Sequence, residues 1–197
     1  MKGITRNLVL VLVLAIALTG CKAPQAQIDG AKAAIEAVTK AGADKYAVEE
    51  LKAVNDSLQK ALDEIAAQDK KFFKKFGPAK EMLAGVLKQA EDLKAALPAK
   101  IEAAKNLAIQ LQGETKTAID EAKALLAKAP TGKGTKKDID ALKADLAGAE
   151  ASFGDIQAAI DAQDYIAAQD KAKSIKATVT TVIEQVKAAI EKVTGKK

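Results

Sequence analysis

Apolar positions recur every three or four residues along most of this chain, the spacing that lines one face of an α-helix. Ile28, Ala31, Ile35 and Val38 predict a first helix over about 26–41, closed by Gly42 as a C-terminal cap. Leu51, Val54, Leu58, Ala61 and Ile65 predict a second over about 48–68. From near Lys70, the positions Phe72, Phe76, Ala79, Leu83, Val86, Ala90, Leu93 and Leu97 alternate in steps of four and three, a seam of coiled-coil type. Gly77-Pro78 interrupts it. Proline inside a helix removes a backbone donor and clashes with the preceding turn, so a kink or a new start is expected at Pro78 and again at Pro98. The phase nevertheless continues through Ile101, Ala104, Ala108, Leu111, Thr115, Ala118, Ala122 and Leu125, which favours one long bent helix. Leu107, Ile109, Ile119 and Leu126 fall off that stripe.

The stretch Ala129 to Lys136, APTGKGTK, is a loop by its proline and glycines. It lacks the preceding strand, the first glycine and the Ser/Thr after Lys133 that a phosphate-binding loop requires, so it is a linker. Thr135 with Asp138 three residues on has the form of a helix-starting cap. A fourth helix to about Asp161 carries Ile139, Leu142, Leu146, Ala149, Phe153, Ile156 and Ile160. After a turn at Ala162-Gln163-Asp164, a fifth carries Tyr165, Ala168, Ala172, Ile175, Val179, Val182, Val186, Ala189 and Val193. The two halves repeat each other. Ala67-Gln68-Asp69 matches Ala162-Gln163-Asp164, and Leu51, Leu58 and Ile65 match Leu146, Phe153 and Ile160 at one offset. The fold class expected is all-α: an elongated bundle of about five helices, a duplicated helical hairpin with one long kinked central helix. Residues 27–128 then form the first helical half with the long helix, 129–135 the Pro/Gly loop and 136–194 the second hairpin.

The first residues read differently. Lys2 and Arg6 precede an uncharged apolar run from Leu8 to Leu18, which as a helix reaches about 16 Å, too short for a bilayer core of about 30 Å. This is the layout of a cleavable secretory leader over residues 1–20. It ends in Leu18-Thr19-Gly20-Cys21, which resembles the lipobox of bacterial lipoproteins. That resemblance implies a diacylglyceryl group on the Cys21 thiol and cleavage before it, leaving 21–26 as an acylated N-terminus and short linker. Cys21 is the only cysteine, so no internal disulfide is available. Acyl chains at about 0.8 kcal/mol per buried methylene would hold the protein on a membrane. By resemblance to the enteric sorting rule, Lys22 in place of aspartate implies the outer membrane, periplasmic face, over the inner membrane.

Composition narrows the function classes. Removing Lys2 and Arg6 lowers the formal charge from +5 to +3, and Arg6 is the only arginine. Without arginine forks or clustered positive charge no nucleic-acid partner is expected. With no histidine, no tryptophan and no free thiol after acylation, the usual general base, metal ligand and nucleophile are missing. No catalysis, metal or cofactor is expected. The acids instead pair with lysines three or four residues on, as in Glu36/Lys40, Asp56/Lys60, Glu102/Lys105, Asp170/Lys173 and Glu184/Lys187, the pattern of solvated helix faces.

The stretch DKKFFKKF, Asp69 to Phe76, invites a lipid-surface or anionic-polymer contact through Lys70, Lys71, Phe73, Lys74 and Lys75. The matching phase instead assigns Phe72 and Phe76 to the seam and leaves only Phe73 over. Tyr46-Ala47-Val48-Glu49-Glu50-Leu51 is similar to the Tyr-Ala-Pro-Glu-Glu-Leu helix start of a bacterial lipoprotein family, domain of unknown function 4398. Gln163-Asp164-Tyr165 resembles its Gly-Asp-Tyr hairpin turn. The resemblance implies an envelope location and an all-helical fold, and brings no ligand or catalytic residue.

The function expected is a lipid-anchored envelope protein of structural, spacer or interaction type, its partners the membrane through Cys21 and another envelope protein or peptidoglycan. One alternative is a carrier that parts its helices around Leu107 to Ile119 to shelter an apolar ligand. Another is a covalent cell-wall tether through Lys197, as the major outer-membrane lipoprotein of enteric bacteria is attached by a terminal lysine. Long apolar stripes permit self-association, but intramolecular partners suffice.

Overall fold

A computed structural model describes residues 22–130, 132 and 135–195, and among these every regular element is helical. The expected all-α class is the observed one. Five helices longer than one turn are present among the described residues: α1 (Gln25–Val38), α2 (Val48–Asp69), α3 (Gly77–Leu126), α4 (Lys136–Asp161) and α5 (Tyr165–Thr194). They divide into two compact units between Pro98 and Ala99, inside α3, rather than at the loop over 129–135. Pro98 has no N–H to offer the carbonyl four residues back, so the division falls where the helix lacks one of its own bonds.

In the first unit, α1 runs through a π-helical turn, Thr39–Ala43, and breaks at Gly42, whose φ of 101° only glycine adopts without strain. A single helical turn, Asp44–Tyr46, leads to Ala47 and the start of α2. The connection is short and α2 packs on α1, so α2 returns along it. Ile28, Ala31, Ile35 and Val38 of α1 are buried, as are Val54, Leu58, Ala61 and Ile65 of α2. The unit's share of α3 adds Ala79, Leu83, Val86, Ala90, Leu93 and Leu97, the alternation of three and four read from the sequence. Each fully buried leucine or valine there contributes about 1.5–3 kcal/mol.

The start of α3 is a correction. The helix begins at Gly77, with the Phe76 carbonyl accepting its first bond from the Lys80 N–H at 3.0 Å. Gly77 and Pro78 thus occupy the first turn, where a missing donor costs nothing. Residues 70–76 are a turn outside any helix, so Phe72 is no part of the seam. The proposed equivalence of the two hairpin turns is accordingly loose. Ala67-Gln68-Asp69 still belong to α2, whereas Ala162-Gln163-Asp164 is the turn itself.

That second turn has a defined geometry. The Asp164 N–H donates to the Ala159 carbonyl and the Gln163 N–H to the Ile160 carbonyl, both at 2.9 Å, the two bonds of a Schellman cap. Gln163 takes the left-handed conformation that this cap requires, with φ 58°. The Asp164 carboxylate then accepts from the Ala167 N–H at 3.4 Å and opens α5. Thr135, by contrast, makes no side-chain cap to α4. Its hydroxyl donates to the Pro130 carbonyl at 2.8 Å and closes the loop instead.

The second unit packs α4 on α5 beside the remainder of α3. Ile139, Leu142, Leu146, Ala149, Ile156 and Ala159 of α4 face Tyr165, Ala168, Ala172, Ile175, Val179, Val182 and Val186 of α5 in its core, while Phe153, Ile160 and Ala189 are half-buried and Val193 is exposed. Within α3 the buried set is Ala108, Thr115, Ile119, Ala122 and Leu126. Ile119 and Leu126 replace the expected Ala118 and Leu125, which are half-buried. At 3.6 residues per turn, Ala108 and Leu126 stand an integral five turns apart on one line, while a strict seven-residue count drifts by about 20° per repeat. The drift brings Ile119 inward in place of the smaller Ala118, and Leu126 in place of Leu125.

Candidate functional site

Among the described residues, the two most exposed large hydrophobic side chains lie side by side on the turn between α2 and α3. Gln68, in the last turn of α2, is buried, donates to Glu64 Oε1 at 2.6 Å and accepts from the Lys75 backbone N–H at 3.2 Å. Asp69 pairs with Lys74 at 2.8 Å, and the Lys71 N–H donates to the Gln68 carbonyl at 3.0 Å. Phe76, 2 % exposed, anchors the far side. These bonds fix both ends of the segment. Between them Phe72 is 94 % exposed and Phe73 79 % exposed. Their rings meet edge to face with centroids 5.0 Å apart, an arrangement of neighbours that hides little of either.

The sequence-predicted residues Lys70, Lys71, Phe73, Lys74 and Lys75 are therefore brought together on one turn, all exposed. Phe72 was missed. Its four-residue spacing to Phe76 matched the seam, but the Gly-Pro pair that follows is a helix-start signal, which puts position 72 outside the helix. Because α2 returns along α1, this turn and the start of α1, which follows the buried Pro24, lie at the same end of the first unit. Leu18, Thr19, Gly20 and Cys21, and Lys197, lie outside the described residues.

The segment from Leu107 to Ile119 is packed directly. Leu107 and Ile109 are 41 % and 46 % exposed, so they point away from the core. The Thr115 hydroxyl, fully buried, donates within reach of the Leu111 carbonyl at 2.7 Å and the Ala172 carbonyl at 3.2 Å. Gln169 Nε2 donates to the Ala104 carbonyl at 2.9 Å. These bonds tie α5 to α3 along this segment. The nearby concavity is a groove of about 480 Å³ lined by Glu114, Thr117, Glu121, Lys176 and Lys187 among others, open to solvent and rimmed with charge.

Charges pair across and along the helices. Lys176 meets Glu114 at 2.6 Å and Lys187 meets Glu121 at 2.9 Å, both between α5 and α3. The hydrogen bond from Lys176, then that from Gln110, holds the Glu114 carboxyl below its ordinary pKa. Glu36 is lowered likewise by its hydrogen bond to Lys40, and Lys52 and Lys88 are raised by Asp56 and Asp92. Asp56 thus pairs with Lys52 rather than Lys60, and Lys187 with Glu121 rather than Glu184. Solvent screens such exposed pairs, so they add little to stability.

Among the described residues no helix is long and apolar enough to cross a membrane, and no group of three or more His, Cys, Asp or Glu is placed to hold a metal ion. No protein-family model, curated protein or solved structure matches the chain.

Proposed function

We propose that this chain is a lipid-anchored protein of the bacterial cell envelope, on the periplasmic face of the outer membrane, with a spacer, scaffold or interaction role and no catalytic one. The observation that carries the reading is the order of segments at its start: Lys2 and Arg6, the apolar run Leu8 to Leu18, and Leu18-Thr19-Gly20 immediately before the single cysteine, Cys21. The helical units beyond it are compatible with such a role. Their cores are filled by interdigitating aliphatic side chains, and the buried Thr115 and Gln169 spend their hydrogen bonds on neighbouring helices rather than on a ligand. Direct α3–α5 bonding favours this reading over a carrier.

Membership of the domain of unknown function 4398 family forms part of the same proposal. Support comes from Gln163, whose left-handed backbone is the conformation that the family's glycine at this turn would serve, and from Tyr46 to Leu51, which span the start of α2.

The test is the intact mass of the protein extracted from membranes of its native bacterium. A chain beginning at Cys21 with a diacylglyceryl adduct is expected. A retained leader with a bare sulfur overturns the anchor. Lysine-directed crosslinking in whole cells then separates roles: a defined protein partner supports a scaffold, and muropeptides carrying Lys197 support the cell-wall tether.

A further inference from the structure

We infer that the turn between α2 and α3 is a membrane-surface contact: Phe72 and Phe73 insert into the headgroup region of an anionic bilayer while Lys70, Lys71, Lys74 and Lys75 meet its phosphates. The apex is apolar, convex and bare, with both rings more than three-quarters exposed. Two lysines flank it on each side in sequence, and the one acid in the segment, Asp69, is already engaged by Lys74. An apolar centre inside a cationic rim complements a flat surface carrying anionic phosphates above hydrocarbon, where lysine stems reach upward as the rings sink. A glycan stacks its sugar faces on flat aromatic platforms, whereas Phe72 and Phe73 stand edge to face at 85° and together suit a hydrocarbon phase. A protein partner would need a concave receptor for a convex tip.

The turn is also held ready. Gln68 fixes the backbone at Lys75, Phe76 is seated in the core, and α3 starts at Gly77-Pro78 immediately after, so displaying the two rings costs little further chain entropy.

Its position adds a second line, which rests on the anchor proposed above. Pro24 is buried at the same end of the unit, and three residues of chain from there back to position 21 span at most about 10 Å. Acyl chains on Cys21 would therefore hold this end of the unit, and with it the Phe72–Phe73 tip, close to the bilayer that receives them. The tip would fix the orientation of the first unit on the membrane, which a single point of lipid attachment leaves free to swivel.

The test uses residues 22–197, which contain every helix described here and no acylation site, in sedimentation with vesicles of phosphatidylcholine with and without phosphatidylglycerol. Binding to the phosphatidylglycerol vesicles alone is expected, weakening as salt rises. The double substitution Phe72→Ser with Phe73→Ser should lower the partition coefficient at least tenfold with an unchanged urea midpoint. Substituting Lys70, Lys71, Lys74 and Lys75 by Gln should lower it about fivefold per lysine and flatten the salt dependence. Equal binding to both vesicle types, or a double variant that binds as the parent does, overturns the inference. So does capture by purified sacculi in preference to vesicles. Because residues 22–197 carry no acylated cysteine, these outcomes are independent of whether Cys21 is acylated in the cell.

Discussion

Phe72 and Phe76 are the same residue type four positions apart, and helical phase alone would bury both; the structure exposes one and seats the other in the first core. Replacing each by alanine separates the two descriptions. Phe76 is 2 % exposed, so Phe76→Ala loses its transfer free energy and leaves a cavity, about 3–5 kcal/mol for a buried phenylalanine. Phe72 is 94 % exposed and touches chiefly the edge of Phe73, so Phe72→Ala should change stability by less than about 0.5 kcal/mol. For a unit of fewer than 100 residues each kcal/mol shifts the melting temperature by about 4–8 °C, so the Phe76 variant should melt about 12–40 °C lower in the transition of the first unit. Circular dichroism at the helical band follows that transition, and hydrogen exchange of α2 and early α3 amides assigns it. Equal losses in the two variants would mean that α3 extends back to Lys70 and that Phe72 is a core residue. The membrane contact would then have lost one of its two rings.

Three further outcomes follow from single residues. Gly42→Ala forces a φ of 101° on a residue with a side chain and sets its Cβ 3.3 Å from the Tyr46 ring, so a loss of about 1–2 kcal/mol is expected in urea denaturation. Gln163→Gly relieves the left-handed strain of the Schellman cap and should raise stability by about 0.5–1 kcal/mol, whereas an unchanged or lower midpoint would mean that other contacts of Gln163 outweigh it. Glu114 titrates below the ordinary glutamate range in the folded protein because Lys176 and Gln110 bond its charged form. Its contribution is therefore present above the unfolded value and lost as pH falls through the lowered folded one, so Glu114→Gln should reduce the acid sensitivity of the second unit below about pH 4.5 and leave the neutral-pH slope unchanged.

The sequence by itself determined the helices and most of their inward faces. Three-and-four spacing of Ile28 to Val38, Val54 to Ile65, Ala79 to Leu97 and Ile139 to Ala149 is a direct consequence of 3.6 residues per turn, and burial follows it residue by residue. Gly42 and the Ala162-Gln163-Asp164 turn were equally legible, because a break in helical hydrogen bonding has to be met by residues of particular backbone freedom. What only the tertiary structure decided is where a continuing apolar rhythm stops meaning burial. Phe72 kept the phase and left the core because α3 starts five residues later, at Gly77, and no described residue covers its ring. Ile119 and Leu126 displaced Ala118 and Leu125 because a straight helix drifts against a seven-residue count and the neighbouring helices receive whichever side chain reaches them. Lys187 chose Glu121 on another helix over Glu184 on its own for the same reason: local spacing lists the available partners, and packing selects among them. The surface inferred to meet a membrane lies in that gap, visible in the sequence as DKKFFKKF but readable as a contact only once both rings were found outside the fold.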